Sequence, residues 1–224
     1  MHQRFQVDSV LEATHLVAGG SGVPLKRTPK LLAGLGRCRF VVDVEWLYQS
    51  AKENRLLDGV EYVLIDDEAE KKWGFDMRIS LGRRPEDGLL AGLSVHVDPS
   101  VAGVKGMGCP PMDEMKMVVS SAGGQWLPQV PKRGKGSDSQ PLLVISHPDA
   151  LKAAGARGTK SRAAAAAGRN GQAYLPEMLF LCILRQEMSW PVDLAVGSGG
   201  GGGDAVEDNG RAKEKRKPAK RRRV

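Results

Sequence analysis

Between residues 14 and 55 the spacing of apolar positions changes period from segment to segment. "THLVAG" (14–19) reads as a short strand and "GGSGVPL" (19–25) as the loop after it. "TPKLLAGLG" (28–36) then predicts a short helix. Thr28 suits its N-cap, Pro29 its first helical position, and Gly36 lies near its expected stop. "RFVVD" (39–43) is a β-branched run that predicts a buried strand. Asp43 can cap the next helix, "VEWLYQSAKENR", in which Val44, Leu47, Tyr48 and Ala51 recur at helical spacing and form one apolar face. Strand, helix, strand, helix in that order predicts an α/β unit with parallel strands.

Residues 56–92 read as a connector, with "EYVLIDDEAEKKWGFDM" passing from an apolar half through an acidic run to two aromatics. A second α/β pattern follows. "LSVHV" (93–97) alternates as a strand. "PMDEMKMVVSSA" (111–122) predicts a helix with Met112, Met115, Val119 and Ala122 on one face, stopped by Gly123 and Gly124. "QWLPQV" and "PLLVIS" (141–146) predict strands around a polar loop. Residues 150–172 hold almost no large apolar side chain and read as a low-complexity insertion. "PEMLFLCILRQEM" (176–188) predicts a helix apolar on nearly every side, with Pro176 near its start. From Gly197 the chain is Gly-rich, then acidic, then basic, a composition that predicts disorder.

Composition adjusts this picture in one respect. Of 224 residues 41% are hydrophobic, enough for a core, and the formal charge is +7. Residues 197–224 carry nine lysines and arginines against four acids, a net of +5, so the first 196 residues carry only +2. The basicity is a property of the tail. Cys38, Cys109 and Cys182 are far apart and odd in number, which predicts free buried thiols in a reducing compartment. No apolar run approaches the ~18 residues of a membrane span, and the polar start "MHQRFQVDS" lacks a signal-peptide core. The expectation is a soluble intracellular protein with no membrane partner.

Signatures of catalysis are scarce. "GGSG" (19–22) lacks the lysine and hydroxyl of a nucleotide-binding loop, and no HExxH, GxSxG or paired-cysteine pattern occurs. His15, His96 and His147 fall in or beside predicted strands and read as packed histidines. Asp66 and Asp67 read as solvated. The expectation is a non-enzymatic chain without cofactor or metal. The best chemical candidate is "KRTPKLL" (26–32), which sets cations around a helix start. A helix N-terminus presents unpaired N–H groups and positive partial charge, so it favours an anion. Lys30 adds a point charge suited to phosphate, and Arg27 a fork suited to a carboxylate or carbonyl. The competing reading is a solvated basic turn.

The order "ATHLV…KRTPKLLAGLGRCRFVVDVEWLYQS" resembles a BRCT repeat. "EYVLIDDEAEKKWGF" resembles the connector of tandem BRCT proteins of the mediator-of-DNA-damage-checkpoint and PTIP type, and "LSVHVDPSV", "MVVSSAGGQWLP" and "LPEMLFLCILRQE" resemble their second repeat. The resemblance implies two α/β repeats, each a four-stranded parallel sheet flanked by helices. It divides the chain into a first repeat at 1–57, a connector at 58–92, a second repeat at 93–196 and a tail at 197–224.

It also implies a phosphoserine- or phosphothreonine-peptide site in the first repeat. Lys30 and Thr28 would hold the phosphate, Arg27 the peptide backbone or a terminal carboxylate, and Phe180 and Leu181 would line a pocket for a downstream peptide residue. The implied partners are phosphorylated tails of histone, repair or checkpoint proteins, and the implied role is a nuclear adaptor of the DNA-damage response. Trp46 matches a core-packing tryptophan. The first repeat lacks the family's first strand and first helix, and with them a Ser/Thr-Gly that shares the phosphate. Met1 is therefore expected to be an internal start, the other reading being a natural truncation with weakened binding. In the tail, Lys215, Arg216, Lys217, Lys220, Arg221, Arg222 and Arg223 read as a nuclear-import address. The alternatives are a phosphate-independent scaffold and nonspecific DNA or chromatin binding through that tail.

Overall fold

A computed structural model describes residues 6–20, 22–130, 141–147, 149, 173–188 and 195–196. The expected insertion at 150–172 and the tail from Gly197, with all seven import cations, lie outside the described residues.

The first unit contains β1 (His15–Val17), α1 (Pro29–Arg37), β2 (Phe40–Val42) and α2 (Val44–Lys52). β1 and β2 pair in parallel, with His15 opposite Phe40 and Val17 opposite Val42. The connector holds a 3-10 turn (Gly59–Tyr62), α3 (Asp67–Trp73) and α4 (Met77–Arg83). The second unit contains β3 (Ser94–Val97), α5 (Met112–Ser121), β4 (Gln125–Trp126), β5 (Leu142–Ile145), β6 (Ala173–Tyr174), α6 (Pro176–Arg185) and β7 (Ala195–Val196). Its sheet runs β4-β3-β5-β6-β7, parallel except for β7.

The two units align by topology. A single residue separates β2 from α2, and a single residue separates β6 from α6. β1 pairs with β2 as β5 pairs with β6. Counterparts of β3, α5 and β4 are not found among the described residues of the first unit. The resemblance implies a missing first strand and first helix; among the described residues a counterpart of the second strand, β4, is missing as well. The edge of β1 that corresponds to the β3-paired edge of β5 has no strand partner among the described residues.

α1 packs against α5 and α6, and this helix layer joins the units. Leu31, Leu32 and Leu35 of α1 enter one continuous core with Met115, Val118 and Val119 of α5 and Met178, Leu179 and Ile183 of α6. Gly36 lies near the stop of α1, as expected, and the helix ends at Arg37. Gly36 lies inside the helix, and Cys38 caps it in extended conformation. A Cβ on Gly36 would stand 3.0 Å from the backbone of Ser121 and Ala122, so this glycine permits close approach of α1 to the end of α5. The stop after α5 does use glycine: Gly123 has φ of +81°.

α2 departs from its sequence pattern. Asp43 caps it as expected, accepting from Glu45 N–H at 2.8 Å. The side that turns inward, however, is Trp46 and Ser50, while Leu47, Tyr48 and Ala51 are exposed. The Trp46 indole donates to Leu57 carbonyl at 2.9 Å and stacks on His15, with centroids 4.6 Å apart. Ser50 Oγ accepts from Leu57 N–H. The segment after α2 doubles back over this side, and nothing among the described residues covers the more apolar one. All three cysteines are buried and none forms a disulfide with another described residue. Burial pushes the Cys38 and Cys109 thiols up to about 11. No helix among the described residues is long and apolar enough to cross a membrane.

Candidate phosphopeptide site

The start of α1 is held from three directions. Thr28 is extended, and its hydroxyl accepts from Leu31 N–H at 3.2 Å as an N-cap. The residue before the cation run, Leu25, is buried and donates its N–H to Asp66 Oδ2 at 2.8 Å. Asp66 Oδ1 accepts from Ala69 N–H at 2.9 Å, so the same carboxylate caps α3. Asp66 is partly exposed to solvent, in line with the expectation, and it also ties the loop before α1 to the connector. Asp67 is exposed, as expected.

The backbone N–H groups of Leu25 and Ala69 hold the Asp66 carboxyl below its ordinary value of 3.8. A depressed folded-state pKa contributes stability that is present above 3.8 and is lost as pH falls through the folded value. Asp66→Asn is therefore expected to lower the urea midpoint at pH 7 and to narrow the gap to wild type as pH falls below that value. A gap that is the same at pH 7 and at pH 3 would remove Asp66 from this role.

Arg27 is the most engaged side chain of the region. Its Nη1 and Nη2 donate to Glu177 Oε1 and Oε2, each at 2.6 Å, as a bidentate fork. Its guanidinium lies 5.7 Å from the Trp73 ring centroid and 5.5 Å from that of Phe180. The loop before α1, the end of α3 and the first turn of α6 thus meet at one guanidinium. The fork uses two of its five N–H donors, leaving three for a further acceptor.

Lys30 is exposed in the first turn of α1, where no acidic residue stands. It makes no hydrogen bond or ion pair with any described residue. Beside this helix start runs an open groove walled by Arg27, Pro29, Leu32, Phe180 and the glycine-rich loop 103–111. Phe180 is buried, with its ring beneath Arg27 and one side on the groove. Leu181 is half-buried against the core and does not wall the groove. The structure thus brings Arg27, Thr28, Lys30 and Phe180 to one junction between the units and leaves Leu181 aside.

Sequence reasoning missed Glu177 and Trp73. An acid in the first turn of a helix has a local reason in the helix dipole, so the Glu177 signal was absorbed there. Its pairing with a residue 150 positions away leaves no local trace.

Residues 88–192 match the family model described as BRCT domain. Residues 88–192 are a BRCT domain. It is 37% identical to Mediator of DNA damage checkpoint protein 1 of Homo sapiens over 127 residues, 57% of this chain. It is 30% identical to PAX-interacting protein 1 of Bos taurus over 124 residues, 55% of this chain. The chain matches 6% and 12% of the lengths of those relatives. The crystal structure of the S. pombe Brc1 BRCT5-BRCT6 domains aligns with a TM-score of 0.56 at 21% identity, covering 85% of each chain. Parallel sheets flanked by helices, in two units joined through a helix layer, are the tandem BRCT fold.

Proposed function

We propose that this BRCT protein is a nuclear, non-enzymatic adaptor of the DNA-damage response that binds a phosphoserine or phosphothreonine peptide. The phosphate sits at the start of α1 against the Lys30 ammonium and the Lys30 backbone N–H, with the Thr28 hydroxyl beside it. The peptide continues into the groove floored by Phe180. Arg27, oriented by Glu177, offers its remaining donors to the peptide backbone or a terminal carboxylate. The observation that carries this reading is Lys30: an ammonium with no partner among the described residues, in a first turn that lacks any acid, beside an open groove. A helix start favours negative charge, and an incoming dianion resolves the conflict. Similarity to a checkpoint mediator supports the setting.

The test is a titration of a fluorescent histone-type tail peptide, phosphorylated and unphosphorylated, against wild type and Lys30→Ala. Wild type is expected to prefer the phosphorylated peptide. Lys30→Ala is expected to weaken that complex by roughly tenfold, the scale of one charge-assisted contact. Equal binding of both peptides by wild type would favour a phosphate-independent scaffold.

A further inference from the structure

The groove beside the start of α1 carries few charges. Among the described residues that line it, only Arg27 and Lys105 are ionic at neutral pH, and no acid is among them. Arg27 is matched by Glu177 through its fork. Lys105 is exposed and makes no hydrogen bond or ion pair with any described residue. The acids that flank it in the chain do not line the groove. Asp98 accepts from Ser100 and Ser146, and Asp113 and Glu114 stand in the first turn of α5.

The loop that carries Lys105 holds it in place. Gly103 N–H donates to the carbonyls of Cys109 and Pro110, each at 3.0 Å, and closes the loop at its neck. Met107 packs against the core from the middle of the loop. Val104 carbonyl accepts from Met107 N–H at 3.1 Å, and Gly106 has φ of +87°, so 104–107 is a turn that needs glycine in its third place. Lys105 takes the second place, at the corner of that turn. Of the eight loop residues on the groove, three are glycines, two are prolines and one is the buried Cys109. Val104 and Lys105 are thus the side chains by which this wall can tell one ligand from another, and Lys105 is the charged one.

We propose that Lys105 is a specificity-determining residue of the phosphopeptide site, selecting peptides that carry an acidic side chain on the stretch lying in the groove. The inference rests on the phosphopeptide reading and adds a second point of recognition to it. Phosphate capture at the start of α1 is common to every ligand of that site, whereas a contact at Lys105 separates such ligands from one another. An ammonium on a flexible stem reads charge rather than shape. The pair forms at an exposed rim, so its effect is modest and screened by salt.

The test is fluorescence anisotropy of the full chain with phosphoserine peptides amidated at the C-terminus, so that no terminal carboxylate takes part. One glutamate is moved along the peptide on either side of the phosphoserine, and each peptide has a glutamine counterpart and an unphosphorylated counterpart. At low salt, wild type is expected to bind the glutamate peptide roughly threefold more tightly than its glutamine counterpart where the glutamate reaches the loop, and equally elsewhere. Lys105→Ala is expected to abolish that ratio and to keep the preference for phosphate. Lys105→Glu should invert the ratio. Equal binding of glutamate and glutamine peptides at every position overturns the inference and leaves the phosphopeptide reading standing. A ratio that survives Lys105→Ala assigns the selection to another residue and overturns it too. So does a loss in Lys105→Ala that is equal for both peptides, because Lys105 then adds only to general anion binding. No preference of wild type for phosphate overturns the phosphopeptide reading, and this inference with it.

Discussion

Gly36→Leu is expected to lose about 3 kcal/mol of folding stability, the upper range for overpacking, because α1 and the end of α5 are in backbone contact at that point. The ideal Cβ lies 3.0 Å from Ser121 C and O and from Ala122 N, and a backbone neighbour cannot rotate away as a side chain would. Gly36→Ala separates the two effects in play. Alanine gains up to about 1 kcal/mol of helix propensity over glycine. That gain is offset if the two helices must move apart, since Leu32, Leu35, Met115 and Val119 are packed across the same contact. The expected order of urea midpoints is wild type, then alanine, then leucine. An alanine variant more stable than wild type would show that the helix layer yields without loss, and that Gly36 is present for some other reason.

Arg27→Ala is expected to lose about 2–3 kcal/mol, from the bidentate fork, two aromatic contacts and the stem that packs between them. The ion-pair share of this is discounted. The Arg27 side chain is 22% exposed but Glu177 is 42% exposed, so water screens the carboxylate side. A double-mutant cycle of Arg27→Met and Glu177→Gln isolates that share, with an expected coupling of about 1 kcal/mol that shrinks as salt is raised. Arg27→Lys keeps the charge yet loses the planar fork and its stacking on Trp73 and Phe180, so it is expected to recover little. Full recovery by lysine would mean that charge alone matters here and that the fork is incidental.

The two residues differ in how far the sequence announced them. Arg27 stood out by its place before a helix start, and the resemblance to BRCT repeats gave it a binding role. Its pairing with Glu177 became visible only when the connector and second unit folded against α1. Gly36 lies near the end of α1, as local rules had it, but those rules did not say why a glycine stands there. The position needs no left-handed backbone; it needs the absence of a side chain against α5. Asp66 is a third case. An acidic run in a connector looks solvated, yet one carboxylate accepts a loop N–H and a helix N–H at once.

Local chemistry determined the elements. β-branched runs became β2, β3 and β5, the Thr28 and Asp43 caps set the starts of α1 and α2, and Gly123 ended α5. These are decided within a few residues by backbone hydrogen bonding and steric limits, so the sequence alone was sufficient. Tertiary structure decided which face of each helix turned inward and which distant groups met. On α2 the periodicity identified an apolar stripe, but burial went to Trp46 and Ser50, because the returning chain at Leu57 bonds that side. At α1, the cations found in the sequence were divided by packing: Arg27 was taken up by Glu177, Trp73 and Phe180, and Lys30 was left at the surface without a described partner. Periodicity measures only whether a face is apolar. Whether another surface is there to receive it depends on contacts between residues far apart in the chain.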